Sequence, residues 1–324
     1  MLMKVLRFAA AIVLLAALFY FHLIDLAALR EAVAHPAMLG LAAMLSFAAI
    51  PVAALRWHLL LGSQGLVLRL RETLRIMAMS TFFAMFLPGG AGGDIVRGVY
   101  IARASHGRRT SALLSIIIDR LVGFTGFILV GVIATLSRPA RTYGAFEYAV
   151  FALAAVFAIS ILVMFKFGHP IAQAVNRLLH ERRHRFAAII EAIGEALRLY
   201  AKQWRSVALC LVLSTIIVVL LAAAVVTIAV AMQFDRLSAI EYGIAGIYAM
   251  VANVIPITPG GIGVGEGAFA SACIMLEPAS RGVPYGTIFL VFRCAMAISA
   301  LPGLVIYLVY PHRASLLTPV HPPA

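Results

Sequence analysis

Long apolar runs separated by short charged stretches occupy this chain from end to end. The first run, residues 5–24, stands behind Lys4 and Arg7; at about 17 apolar residues it exceeds the core of a cleaved signal peptide, so it predicts an uncleaved first transmembrane helix. A second span over residues 37–60 closes on Arg56 and Trp57, a pair suited to the membrane rim with the guanidinium reaching out to water, and Pro51 is expected to kink it. Spans over residues 111–136, 146–165, 207–232 and 284–310 complete six.

Two further apolar segments are too short to cross. Residues 76–101 are apolar from Ile76 to Leu87, break at a glycine loop, and resume weakly to Ile101. About 12 apolar residues fall well below the roughly 20 that a spanning helix needs, and basic residues flank both ends, so the segment predicts a re-entrant hairpin that enters and leaves on the cytoplasmic side. Residues 242–276 repeat this arrangement around a second glycine loop and predict a hairpin entering from the opposite face. Backbone of this irregular kind is tolerated at membrane depth only where protein buries it or water reaches it.

Composition agrees with the pattern. Of the 324 residues, 63% are hydrophobic and only 12% charged, and the mean hydropathy is +1.02, values that define an integral membrane protein. The formal net charge of +13 would suggest nucleic acid in a soluble protein. Here the basic residues lie between apolar runs, mostly on alternate ones, which is the positive-inside pattern, and no nucleic-acid partner is expected. Arg138 and Arg141, placed outside by this topology, go against it. Both termini are expected in the cytoplasm, with residues 311–324 as a short tail after a membrane domain over 1–310. Residues 137–206 link the two parts of that domain, about 37–136 and 207–310. Within the link, 166–206 carries net +5 and apolar positions at helical spacing, which reads either as an amphipathic helix on the inner leaflet or as a solvated linker.

The glycine loops say the same thing twice. Pro88-Gly89-Gly90-Ala91-Gly92-Gly93-Asp94 returns as Pro259-Gly260-Gly261-Ile262-Gly263-Val264-Gly265-Glu266, and each acid is followed by an intramembrane arginine: Asp94 by Arg120, 26 positions on, and Glu266 by Arg293, 27 positions on. The offsets between copies are 171 to 173 residues. With the predicted orientations this is an inverted-topology repeat, the architecture in which transporters place two broken elements near the midplane and bind polar cargo there. Small residues also serve helix packing in any bundle, which would explain the glycines but not the charges.

An ionised residue at the bilayer centre costs roughly 2.5–3.5 kcal/mol on insertion scales, so Asp94, Arg97, Asp119, Arg120, Glu266 and Arg293 are the candidate head-group or transport residues, with Asn253 beside the second loop. Asp119 and Arg120 project about 100° apart on a helix and cannot pair well, so Arg120 is expected to find Asp94 or Glu266. Two roles stay open: the arginines lock the hairpins as structural ion pairs, or their planar forks receive a lipid phosphate. The three cysteines, Cys210, Cys273 and Cys294, lie in apolar stretches, and neither a disulfide framework, a metal site, a cofactor nor a catalytic constellation is expected. His180 and His184, at i, i+4, read as a surface pair.

The segments Phe86-Leu87-Pro88-Gly89-Gly90-Ala91-Gly92-Gly93-Asp94, Asp119-Arg120-Leu121-Val122-Gly123 and Asn253 through Glu266 resemble the hallmarks of the flippase-like membrane domain of lysylphosphatidylglycerol synthases, a family with stand-alone members. The resemblance covers roughly residues 5–310. It implies the bacterial inner membrane, and either translocation of an anionic phospholipid or glycolipid or an accessory role beside a lipid-modifying enzyme. The chain shows no C-terminal cytosolic domain of the full synthase, so aminoacyl transfer is not expected of it.

Overall fold

In hydrocarbon each backbone N–H and C=O must find its partner within its own segment, which makes helices of the apolar runs. The computed structural model describes residues 30, 33–66, 68–87, 89–104, 109–138, 144, 147–148, 150–152, 154–159 and 203–309. Their principal helices in chain order are α1 Pro36–Ser63, α2 Leu70–Ala84, α3 Ala91–Ala104, α4 Arg109–Leu136, α5 Trp204–Ala231, α6 Ala239–Ala252, α7 Val264–Leu276 and α8 Gly286–Val309. A shorter apolar helix covers Val150–Ile159. The expected span over 5–24, the linker segment 166–202, its histidine pair and the tail lie outside the described residues.

Four of these helices, α1, α4, α5 and α8, are long and apolar enough to cross a membrane. At 1.5 Å per residue, their 24 to 28 residues reach about 36–42 Å, beyond the ~30 Å hydrocarbon core. By contrast α2, α3, α6 and α7 have 13 to 15 residues, about 20–22 Å, and fall short of it. The short helices are displaced from the expected arms: α2 begins at Leu70 and takes in the polar turn before Ile76, and α6 ends at Ala252 where the sequence stays apolar to Ile257. An Arg75–Glu72 ion pair at 2.7 Å stabilises that added first turn. At the start of α6, Ser238 and Glu241 form a capping box, the Ser238 N–H donating to Glu241 Oε2 at 2.8 Å. At the start of α7, the buried Gly263 N–H donates to Glu266 Oε2 at 2.8 Å, so the loop acid satisfies an end of the helix it opens.

α1 lies along α5, α4 also packs on α5, α2 lies against α8, and α6 against α4. One apolar core forms where α5, α6, α7 and α8 meet, around Phe269, Tyr285, Phe289 and Phe292. A second gathers Trp57, Leu61, Ile76 and Ile101 from α1, α2 and α3. Trp57 and Arg56 are therefore interior residues, correcting the rim placement read from the sequence: Trp57 is fully buried and Arg56 nearly so. The span continues past them to Ser63, two helical turns further, which carries the pair inward.

Glycine lets the loops approach what a side chain would exclude. A Cβ on Gly92 would sit 2.0 Å from the Phe83 carbonyl oxygen, so α3 starts in direct backbone contact with the end of α2. The two loops also touch each other. A Cβ on Gly89, at φ +62°, would lie 3.5 Å from the Pro256 side chain, and one on Gly260, at φ +59°, would lie 2.6 Å from the Met85 carbonyl oxygen. Gly89 and Gly260 are 171 positions apart, and so are Met85 and Pro256. The contact is thus reciprocal between equivalent positions.

Candidate functional site

Around the first loop, five charged side chains from three helices form one chain of contacts. The Arg56 Nε of α1 donates to Asp119 Oδ1 at 2.8 Å, and Arg97 Nη1 of α3 donates to Asp119 Oδ2 at 2.6 Å. Arg97 Nη2 continues to Asp94 Oδ1 at 2.5 Å, and Asp94 Oδ2 receives Arg120 Nε of α4 at 2.6 Å. Arg56 Nη1 also donates to the Ser214 hydroxyl of α5 at 2.9 Å, across 158 positions of chain. Arg97 stands 5.5 Å from the centre of the Trp57 ring, within cation–π range. Asp119, only 3% exposed, sits at the closed end of this chain, while Asp94 at 28% and Arg120 at 31% form its open end. The Gly90 backbone borders the open end: a Cβ there would meet Arg120 Nη2 at 3.2 Å.

The second loop is built more tightly. Arg293 Nε donates to Glu266 Oε1 at 2.7 Å, Nη2 donates to the Gly261 carbonyl at 3.0 Å, and Nη1 donates to the Gly260 carbonyl. The Glu266 side chain is fully buried. Thr258, also buried, holds the loop from below through its hydroxyl to the Ile262 carbonyl at 2.8 Å. Asn253 lies against the loop glycines, its Oδ1 2.4 Å from a Cβ built on Gly261 and 2.6 Å from one on Gly265.

The two centres differ at equivalent positions. Arg97 and Asp119 of the first correspond, at offsets of 172 and 173, to Phe269 and Phe292 of the second. Those two phenylalanines pack on either side of Phe289, with ring centres 5.6 and 5.4 Å away. The second centre replaces a salt-bridged interior by an aromatic one. Charge counts follow: Arg56, Arg97 and Arg120 against Asp94 and Asp119 leave the first centre one positive charge in excess, whereas Arg293 and Glu266 balance.

Of the residues singled out in sequence, Asp94, Arg97, Asp119 and Arg120 come together in one network, and Glu266, Arg293, Gly260, Gly261 and Gly263 in another. Gly92 and Gly93 contact α2 rather than either network, and Pro88 lies outside the described residues. Sequence reasoning missed Arg56 and Ser214. The signal for Arg56 was the Leu59-Leu60-Leu61 run beyond it, which marks it as internal to a span. It also missed the partners of Arg138, which reach Glu147 by Nη1 and Glu241 by Nη2, the latter at 2.9 Å. An arginine that appeared to break the charge rule is an ion-paired tie between three segments. Among the described residues no group of histidine, cysteine or acidic side chains is arranged to hold a metal, and the three cysteines are free thiols.

Compared with known families, residues 5–306 match the model for the lysylphosphatidylglycerol synthase TM region. The chain belongs to that family, and it is a flippase-like polytopic membrane protein. No curated protein and no solved structure matches it.

Proposed function

We propose that this protein carries an anionic or glycosylated lipid between the leaflets of a bacterial inner membrane, with the head group crossing at the two hairpins. The observation that carries this reading is the open end of the first centre. There the Arg120 guanidinium, bonded to Asp94 through one edge only, belongs to a cluster with one positive charge in excess. A planar guanidinium beside a glycine backbone at a helix start matches phosphate oxygens in both charge and shape. Arg97, Asp119, Asp94 and Asn253 serve the same passage by holding the two loops in place.

The inverted repeat of six spans and two hairpins is the architecture that goes with this reading. It is supported by the short helices on either side of each loop and by the reciprocal contacts of Gly89 with Pro256 and of Gly260 with Met85. Paired contacts of this kind are what a twofold axis between two like units produces. In that arrangement both termini are cytoplasmic and a lipid-modifying enzyme on that side supplies or receives the lipid.

The closed second centre favours a second reading, in which the protein holds a lipid for a partner without passing it on. One assay separates the two. Purified protein in liposomes carrying a fluorescent anionic phospholipid is scored for loss of leaflet asymmetry. Transfer above protein-free vesicles supports passage, and head-group-dependent binding without transfer supports the accessory role.

A further inference from the structure

Beyond the loops, an open apolar pocket lies between α4 and α6, with Val150 at its flank. Phe127 and Gly131 of α4 face Ile247 and Val251 of α6 across it. The one hydroxyl on the α4 wall, that of Thr135, donates to the Gly131 carbonyl of its own helix at 2.8 Å, so it does not call for water. At 100° per residue, Phe127 and Gly131 lie within about 20° of the direction of Arg120, seven and eleven positions along α4. The pocket therefore continues the stripe that begins at the open end of the first centre. Beyond its far end, Arg138 joins Glu147 and Glu241 in the ion cluster that ties α4 to the segment before Val150 and to α6.

The equivalent junction elsewhere in the chain is filled. Gly303 of α8 corresponds to Val130, the residue before Gly131, at the offset of 173 that relates Arg120 to Arg293. A Cβ on Gly303 would fall 2.0 Å from the Ala78 carbonyl oxygen of α2, and nearby Phe83 packs edge-on against Tyr307 at 4.9 Å. A Cβ on Gly131 would meet only an Ile247 methyl group, at 3.5 Å. One junction closes backbone against backbone; its counterpart leaves room for a side chain.

We propose that this pocket seats one acyl chain of the membrane lipid whose head group lies at Arg120. The occupant follows from three observations: the walls are apolar and belong to a membrane-crossing helix and its neighbour, the equivalent junction needs no filler, and the pocket lies in line with the cationic end of the first centre. An apolar pocket of this kind excludes water and takes hydrocarbon. The inference rests on the head-group reading above for its direction, and its test is separable from that reading.

The full chain is placed in liposomes containing a phospholipid with a photoactivatable diazirine in one acyl chain, under either a phosphatidylglycerol or a phosphatidylcholine head. Adducts are mapped by mass spectrometry. They are expected at Phe127, Ile247 and Val251 several-fold above Val219 of α5 and Val305 of α8, two exposed apolar positions. Ile247→Trp, which fills the pocket, should remove them, and Gly131→Leu fills it from the opposite wall if the first variant fails to fold. Pocket adducts no more frequent than those at Val219 and Val305 overturn the acyl seat, whatever a transport assay reads. Equal pocket adducts with both heads uphold the seat and count against head-group selection at Arg120. Adducts confined to the anionic lipid and lost in Arg120→Gln support both.

Discussion

Asp119 and Arg120 are neighbours on α4 and serve different ion pairs. The aspartate turns inward to Arg56 and Arg97, and the arginine turns to Asp94 at the open end of the same cluster. Successive residues on a helix are rotated by about 100°, so one position anchors the helix interior while the next faces the loop. The division separates a buried aspartate from a part-exposed arginine, and the expected outcomes of substitution differ accordingly.

Asp119→Asn should damage folding. It leaves the two buried arginines Arg56 and Arg97 without their shared countercharge. Breaking a buried pair costs about 3–5 kcal/mol, so folded yield and thermal stability in detergent should drop sharply. Asp94→Asn, at a more exposed position, should lose less. Equal stability of both variants would contradict this division.

Arg120→Lys and Arg293→Lys should separate function from folding. Lysine keeps the charge at Arg120 but not the planar fork, so lipid transfer should fall on the order of tenfold, equivalent to about 1.4 kcal/mol, while stability stays near that of the parent. At Arg293 the same change removes donors to Gly260 and Gly261, leaving loop carbonyls without partners at about 1–3 kcal/mol each. Melting curves and the liposome assay, read together, check both outcomes. An Arg120→Lys variant with full transfer would remove Arg120 from the head-group site.

Glycine substitutions should sort by what surrounds them. Gly92→Ala sets a methyl group against the Phe83 carbonyl, and Gly260→Ala sets one against the Met85 carbonyl at a positive φ, so both should lower folded yield. Gly40→Ala meets nothing within 4 Å and should be neutral or slightly stabilising, as alanine favours the helix. Fluorescence size-exclusion chromatography of the three tagged variants gives the comparison. A well-folded Gly92→Ala protein would show that α2 and α3 can part without penalty.

Loop accessibility tests the inverted orientation. In a background without Cys210, Cys273 and Cys294, cysteines at Ala91 and Ile262 should react with membrane-impermeant reagents from opposite faces. Ala91 is exposed and should label readily, while half-buried Ile262 should label more slowly. Labelling of both from one face would end the inverted-repeat architecture.

The sequence by itself determined the membrane class, four helices long and apolar enough to cross it to within a few residues, and the repeated order of glycine loop, acid and arginine at 26 and 27 positions, while it left Arg120 between Asp94 and Glu266 as partners. Each of these rests on a property local to a segment or repeated along the chain: apolar length, glycine clustering, the order of charges. Only the tertiary structure decided where Arg56 points, because its partners Asp119 and Ser214 lie 63 and 158 positions away and meet it through the packing of α1 on α4 and α5. The same holds for Arg138, whose acids sit on two other segments. Tertiary packing also made the two loops unequal. Phe269 and Phe292 read in sequence as ordinary apolar positions, yet they occupy the places that Arg97 and Asp119 hold in the first centre, so repetition in the chain set the frame and side-chain packing at equivalent sites set one end open and the other closed.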